Sequence, residues 1–309
     1  MTASASTSRH RHGLLAMLGS AVCFTANALL IRALGTVQSV DVWLLASVRF
    51  AIGLGLILTV YGVGPAAFQP RHLYQRRLLI LRGSLGALGV YGYYLTVVHL
   101  GAGRATFINN TYVVLGALLA VFLLGERFRP LLAAGSAAAL VGLALLTDPF
   151  GRGAGLGFYD WIAIFTAFAS AYIVVMIRQL HAAGEHTATI FGAQCSYGLL
   201  LCTGPALLHW SPHPAAAWAL MVIAALCSGF GQILMTRAFL DLPVGEGSVL
   251  QMLVPLGIAV GGGIFFHEHF TPHELLGATL ILFGSALPAL RRRRTSSAGL
   301  TPAQSRPPA

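Results

Sequence analysis

The 309-residue chain contains no lysine and only nine acidic residues. Charged residues make up 9% of the sequence and hydrophobic ones 56%, with a mean hydropathy of +0.76. Soluble domains carry about 25% charged residues, so this scarcity excludes an ordinary soluble fold. Cysteine is also sparse. Cys23, Cys195, Cys202 and Cys227 all lie inside apolar runs, without a CxxC pair. That pattern suggests small packing residues rather than a disulfide or zinc framework. No predicted strand precedes the glycine-rich segments, so no phosphate-cradling loop is expected, and direct ATP drive is not expected either. His267-Glu268-His269 lacks metalloprotease spacing, and its counterpart earlier in the chain has no histidine. Neither a metal nor any other cofactor is expected.

Ten apolar runs are present, at about 13–34, 41–62, 78–99, 104–124, 130–147, 159–180, 187–208, 216–239, 244–266 and 272–290. Runs of about 20 residues match a hydrocarbon core of about 30 Å. The expected fold class is therefore an all-α integral membrane protein of ten transmembrane helices. The polar segment 1–12 reads as a cytoplasmic tail ahead of a retained first helix, with no cleavage site after it. Residues 291–309 read as a basic, disordered cytoplasmic tail. With the N-terminus inside, every arginine except Arg32, Arg49, Arg104 and Arg152 falls on the cytoplasmic side. Arg71, Arg76, Arg77 and Arg82 are counted there as one basic loop. Both termini are then cytoplasmic, in the inner or plasma membrane. Arg291–Arg294 fit an anchor on anionic lipid better than a nucleic-acid site.

A short stretch occurs twice. Gly125-Glu126-Arg127-Phe128-Arg129-Pro130 corresponds to His267-Glu268-His269-Phe270-Thr271-Pro272 at an offset of 142. The same offset matches Gly135 with Gly277 and Gly142 with Gly284. Such a constant offset marks an internal repeat, with halves at 13–147 and 159–290. Each half holds five spans. An odd number makes the two halves cross the membrane in opposite senses, the inverted arrangement of many secondary transporters. Thr271-Pro272-His273-Glu274 has the form of a capping box. Glu126 and Glu268 are placed to accept from free N–H groups of the helix that follows each. Helix-end structure and a direct role in transport are both open for them.

The run closed by Gly125-Glu126-Arg127, the run Leu253-Val254-Pro255-Leu256 leading to Glu268, and the glycines after each turn resemble the drug/metabolite transporter superfamily. The similarity is to its ten-helix branch of two tandem EamA domains and covers about residues 13–290. Val113 stands where the second half has Pro255, so a straighter fourth helix is expected. The resemblance implies a central cavity lined mainly by helices 1, 3, 4, 6, 8 and 9. Asn27, Asn110, Gln232 and Gln251 then become hydrogen-bonding groups for a polar solute, and Tyr94 and Tyr172 stacking surfaces. Helix–helix hydrogen bonding is the alternative for each. Asn109 and Asn110 point about 100° apart, so they are not expected to face the cavity equally.

Arg49 is the one charge expected deep in a run. It would attract an anionic solute, or else bond backbone carbonyls between helices or snorkel to an interface. Gly83, Gly86, Gly89 and Gly92 form a series suited to close helix approach. The expected function is secondary transport, more often export, of a small organic metabolite or drug by alternating access. The rival is an integral-membrane enzyme acting on a lipid or small metabolite, but no acid/base or nucleophilic constellation converges in the sequence. Expected partners are the solute and membrane lipid, not nucleic acid, with a homodimer left open. No carboxylate falls at mid-span, so the solute's own gradient is the simplest drive, and Glu246 is the remaining candidate for a proton site.

Overall fold

Local chemistry starts and stops the helices. Asp41 Oδ1 accepts from Trp43 N at 2.8 Å and Leu44 N at 3.3 Å, capping one helix start. Gly125, at φ 64°, supplies a left-handed stop that most side chains resist. The capping box at Thr271 forms, with Thr271 N donating to Glu274 Oε2 (2.6 Å) and Glu274 N to Thr271 Oγ1 (3.4 Å). The computed structural model describes residues 3–37, 39–65, 67–100, 102–127, 129–147, 156–267 and 271–297. In chain order the helices are α1 (Ala3–Val37), α2 (Val42–Val60), α3 (His72–Gln75), α4 (Arg77–Leu100), α5 (Ala102–Asn110), α6 (Tyr112–Leu124) and α7 (Pro130–Thr147). They continue as α8 (Phe158–Ala182), α9 (Thr187–Leu208), α10 (Ala215–Asp241), α11 (Val244–Gln251), α12 (Leu253–Phe266) and α13 (Pro272–Ser297).

Among the described residues, nine helical stretches are long and apolar enough to cross a membrane; α5 with α6, and α11 with α12, each count as one. The tenth apolar run lies within α13. The protein is an all-helical, multi-pass membrane protein. Helix α1 begins at Ala3, so most of segment 1–12 is helical, and α13 continues through Arg291–Arg294 to Ser297. Extending an existing helix costs little compared with starting one, and arginine is a good helix former. The rest of the tail, like Glu268, His269 and Phe270 of the second repeat stretch, lies outside the described residues.

The fourth span is not straighter than the ninth. It breaks at Thr111, where Thr111 N bonds Ile108 O (3.2 Å) and Val114 N bonds Thr111 O (3.1 Å), the tighter i−3 pattern. The Thr111 hydroxyl also donates to Ile108 O at 2.7 Å, competing with the backbone ladder. In the ninth span the break falls at Met252, whose N–H bonds Val249 O at 3.1 Å. There Pro255 has no N–H to offer the carbonyl of Gln251. A hydroxyl in one half and a proline in the other thus interrupt the two helices at nearly matching positions.

Helix α1 packs along α10, α13 along α7, and α4 against both α8 and α9. Small residues make the closest approaches. A Cβ at Gly142 would lie 2.5 Å from Gly277 O, and one at Gly277 would lie 2.5 Å from Gly142 O. Gly284 is pressed in the same way against Gly135. The contacts 142 with 277 and 135 with 284 run antiparallel and are reciprocal. Each glycine meets the repeat counterpart of the other, the pattern of a two-fold related contact.

Candidate functional site

A cavity of about 240 Å³ lies where the two interrupted spans meet α1, α2, α4, α8, α9 and α10. Asn27, Tyr94, Asn110, Gln232 and Gln251 are on its wall. Tyr172 is not; it packs against the hydrophobic core instead. Ser170, Ile173 and Val174 of α8 line the cavity, and a residue at 172 points about 200° away from 170 on the same helix. Helices α2 and α9, absent from the expected lining, contribute Arg49 and Gln194. Both asparagines of the 109–110 pair reach the wall. They do so unequally: Asn110 turns its amide back to Thr106 O (2.8 Å), while Asn109 Oδ1 is buried without a protein partner. Tyr91 is elsewhere, stacked on Trp43 with ring centroids 3.8 Å apart.

The polar wall is held by a few bonds. Tyr93 and Thr106 share a 2.9 Å hydroxyl contact that joins α4 to α5. Gln251, the last residue before the break in the ninth span, donates from Nε2 to Ser20 Oγ (3.0 Å), and Ser20 in turn donates to Gly231 O (2.8 Å). This ties α11, α1 and α10 together at the cavity wall. Arg49 Nη1 donates to Tyr94 Oη at 3.0 Å.

Arg82 corrects the sequence reading most sharply. Counted with the basic loop, it is instead fully buried (0% exposed) and lines the cavity. Its Nη2 donates to Gln194 Oε1 at 2.9 Å, and Gln194 Nε2 donates to Gly86 O at 3.3 Å. Arg49 is therefore not the only deep charge. The overlooked signal is helical phase: Arg82, Gly86, Gly89 and Tyr93 recur at i, i+4, i+7 and i+11, on one face of α4.

Glu126 caps a helix, but not the one that follows it. Its Oε1 accepts from Val244 N (3.2 Å), the first residue of α11, and from Arg178 Nε (3.3 Å). Arg178 Nη1 also donates to Leu242 O. One carboxylate thus joins the turn after α6, the end of α8 and the start of α11. Beside it lies a recess of about 130 Å³ walled by Leu132, Ser136 and Gly245. On the same face Glu185, nearly fully buried, holds Arg76 Nε at 2.7 Å and His72 Nδ1 at 3.0 Å. The adjacent His186 accepts from Ala188 N (3.2 Å) at the start of α9. Burial, with Arg237 nearby, holds its pKa below the ordinary histidine value.

Two further pairs join the ends of the interrupted spans to neighbouring helices. Arg104 at the start of α5 meets Asp160 of α8 at 2.7 Å, and Glu246 at the start of α11 meets His10 of α1 at 3.1 Å. Positions 104 and 246 are separated by the repeat offset.

The model of the EamA-like transporter family matches twice, over residues 11–148 and 157–289. The pseudopaline exporter CntI of Pseudomonas aeruginosa is 26% identical over 277 residues, 87% of this chain and 92% of that protein. A probable 4-amino-4-deoxy-L-arabinose-phosphoundecaprenol flippase subunit, ArnE of Aeromonas salmonicida, is 25% identical over 99 residues, 29% of this chain and 87% of that one. A solved crystal structure superposes with a TM-score of 0.73 at 22% identity, over 94% of this chain and 99% of that one, a likeness of fold. The chain belongs to the EamA-like transporter family, within the drug/metabolite transporter superfamily.

Proposed function

We propose that this protein is a secondary transporter that exports a small organic metabolite across the inner or plasma membrane by alternating access. The observation that carries the reading is the cavity at the meeting point of two interrupted spans, one from each half. A broken helix at mid-depth frees backbone groups and gives a place where packed elements can rearrange. In this reading residues 13–147 and 159–290 are inverted five-helix halves. The reciprocal, antiparallel glycine contacts between α7 and α13 support that symmetry. The arginine distribution supports cytoplasmic termini, and the name of the pseudopaline exporter supports export. Asn27, Asn110, Gln232 and Gln251 bind the solute's polar groups, and Tyr94 offers an aromatic face.

The ion pairs support a two-ended cycle. Glu126–Arg178 and His10–Glu246 hold one face, while Arg104–Asp160 holds the other. Opening one face releases its set while the opposite set closes. The cavity volume of about 240 Å³ falls below the range of about 300–1,000 Å³ typical of drug-sized ligands, which favours a small metabolite. The test is a metabolite screen on proteoliposomes, scored for uptake and counterflow. Saturable flux of at least one solute, accelerated by unlabelled solute on the far side, is expected. Chemical turnover of a lipid or metabolite without flux would instead establish the enzyme.

A further inference from the structure

The charges around the cavity do not balance. Among the described residues its wall carries two guanidinium groups, Arg49 and Arg82, and no aspartate or glutamate. Among the described residues neither arginine is in an ion pair with a carboxylate. Arg82 is wholly buried, yet only its Nη2 is engaged, by the neutral amide of Gln194; Nε and Nη1 have no protein partner. Gln194 is itself oriented by its bond to Gly86 O, so its oxygen faces the guanidinium and its amide is spent on the backbone. Arg49 is held by the Tyr94 hydroxyl, which leaves that hydroxyl's own proton to donate. An uncompensated cation away from water is costly and is rarely kept without an anion.

The fold does not require either cation. At the repeat offset, Arg49 corresponds to Phe191 and Arg82 to Ala224. The second half builds its matching helices with apolar residues at both places. Gly86 makes room for the guanidinium, since a Cβ there would press on Arg82 Nη1 and on Gln194, while one turn on a Cβ at Gly89 would meet nothing within 4 Å. Resting on the transport reading above, we infer that the solute is a small organic anion, whose carboxylate is received by Arg82 and Arg49 while Asn27 and Gln232 meet its neutral polar groups. Arg82 Nε and Nη1 are each left to donate one charge-assisted bond to a carboxylate held between the two guanidinium groups. The apolar part of the wall, including Phe24, Ile173 and Met235, suits a hydrocarbon body on the same molecule.

The experiment uses the purified full chain in proteoliposomes, loaded with matched pairs of small labelled compounds. Each pair is an N-acetyl amino acid and its neutral amide; simple organic amines and phenyl phosphate complete the set. Uptake and counterflow of the carboxylates, with little or no flux of their amides, is the expected result. Arg82→Gln and Arg49→Gln should each weaken the apparent affinity for the carboxylate by roughly tenfold or more, the usual scale for losing a charge-assisted bond. Tyr94→Phe keeps both charges and should have a smaller effect, and Arg82→Lys should recover only part of the loss. If Arg82→Gln fails to fold, Arg49→Gln and Tyr94→Phe still decide the point. Flux of amides or amines without flux of carboxylates overturns the inference and leaves the transport reading standing. Preference for phenyl phosphate keeps the anion and overturns the carboxylate. No flux of any compound in this set, where the metabolite screen finds flux of another solute, overturns this inference alone; no flux in either experiment removes the transport reading with it.

Discussion

Replacing Glu126 by alanine should loosen the face it closes, by an amount the geometry bounds. Two contributions disappear. The carboxylate caps α11 through Val244 N at 3.2 Å, and loss of a cap costs about 1 kcal/mol. Its contact with Arg178 joins side chains that are 20% and 29% exposed, so screening keeps that part below about 1 kcal/mol. Arg178 retains its bond to Leu242 O, which limits the damage. The total, roughly 1–2 kcal/mol, corresponds to a shift of about 5–30-fold in the closed–open equilibrium. Glu126→Gln separates the parts, since its amide oxygen still accepts from Val244 N and only the charge is lost. The assay places a cysteine at Ser136, which is buried on the wall of the neighbouring recess, in a background with the four native cysteines replaced. Maleimide labelling in membranes should be about 5–30-fold faster in Glu126→Ala, with an intermediate rate in Glu126→Gln. Combining Glu126→Ala with Arg178→Gln should be less than additive, because the two residues share one contact. Unchanged labelling in both single variants would refute the claim that this side chain closes the face.

Reporter fusions after residues 127 and 269 should give opposite topology signals; the same signal from both would sink the inverted arrangement. Asn27→Leu, Asn110→Leu, Gln232→Leu and Gln251→Leu should each weaken transport with folded protein still in the membrane, and native rates in all four would remove the cavity assignment. Neutral His186 is needed to accept from Ala188 N, and its pKa is lowered by burial. Its contribution to stability is therefore complete above the ordinary histidine range and lost as pH falls through the lowered value. His186→Asn, which caps without titrating, should flatten that part of the melting profile, and an identical pH dependence in both proteins counts against the cap. An imposed pH gradient without a solute gradient should produce no uphill accumulation, because among the described residues no carboxylate lines the cavity; accumulation abolished by a protonophore would overturn the uncoupled drive.

The class of the protein and most of its polar cavity wall were legible because membrane interiors make polar residues conspicuous. Asn27, Asn110, Gln232 and Gln251 stand out in runs where nearly everything else is apolar. Arg82 was hidden by its surroundings in sequence. It follows Arg76 and Arg77 by only a turn or so of helix, and without the helix start the three read as one basic loop. The break at Thr111 was hidden for a different reason. A proline announces itself, but a threonine disrupts a helix only when its hydroxyl turns back to the chain, as it does here onto Ile108 O. Glu126 looked like the cap of its own following helix because sequence shows only local neighbours. Its partners, Arg178 and Val244, come from the other half of the chain.

The repeat offset also separates what the two halves share from what only one half has. Glycines at 135, 142, 277 and 284 recur because both halves need the same close backbone approach, and a side chain at either end of that contact would push α7 and α13 apart. At positions 104 and 246 the place is kept while the sign changes. Arginine meets Asp160 on one face, and glutamate meets His10 on the other. Both bind the start of an interrupted span to the first helix of the opposite half, so the mechanical role is common and the chemistry is interchangeable. At positions 49 and 82 nothing is kept: the second half has Phe191 and Ala224. A symmetric pair of halves provides two equivalent end states, which is what alternating access requires. Recognition of one particular solute requires no such symmetry. The groups that break the repeat inside the cavity are therefore where its specificity is to be sought, and two of them, Arg49 and Arg82, are cations.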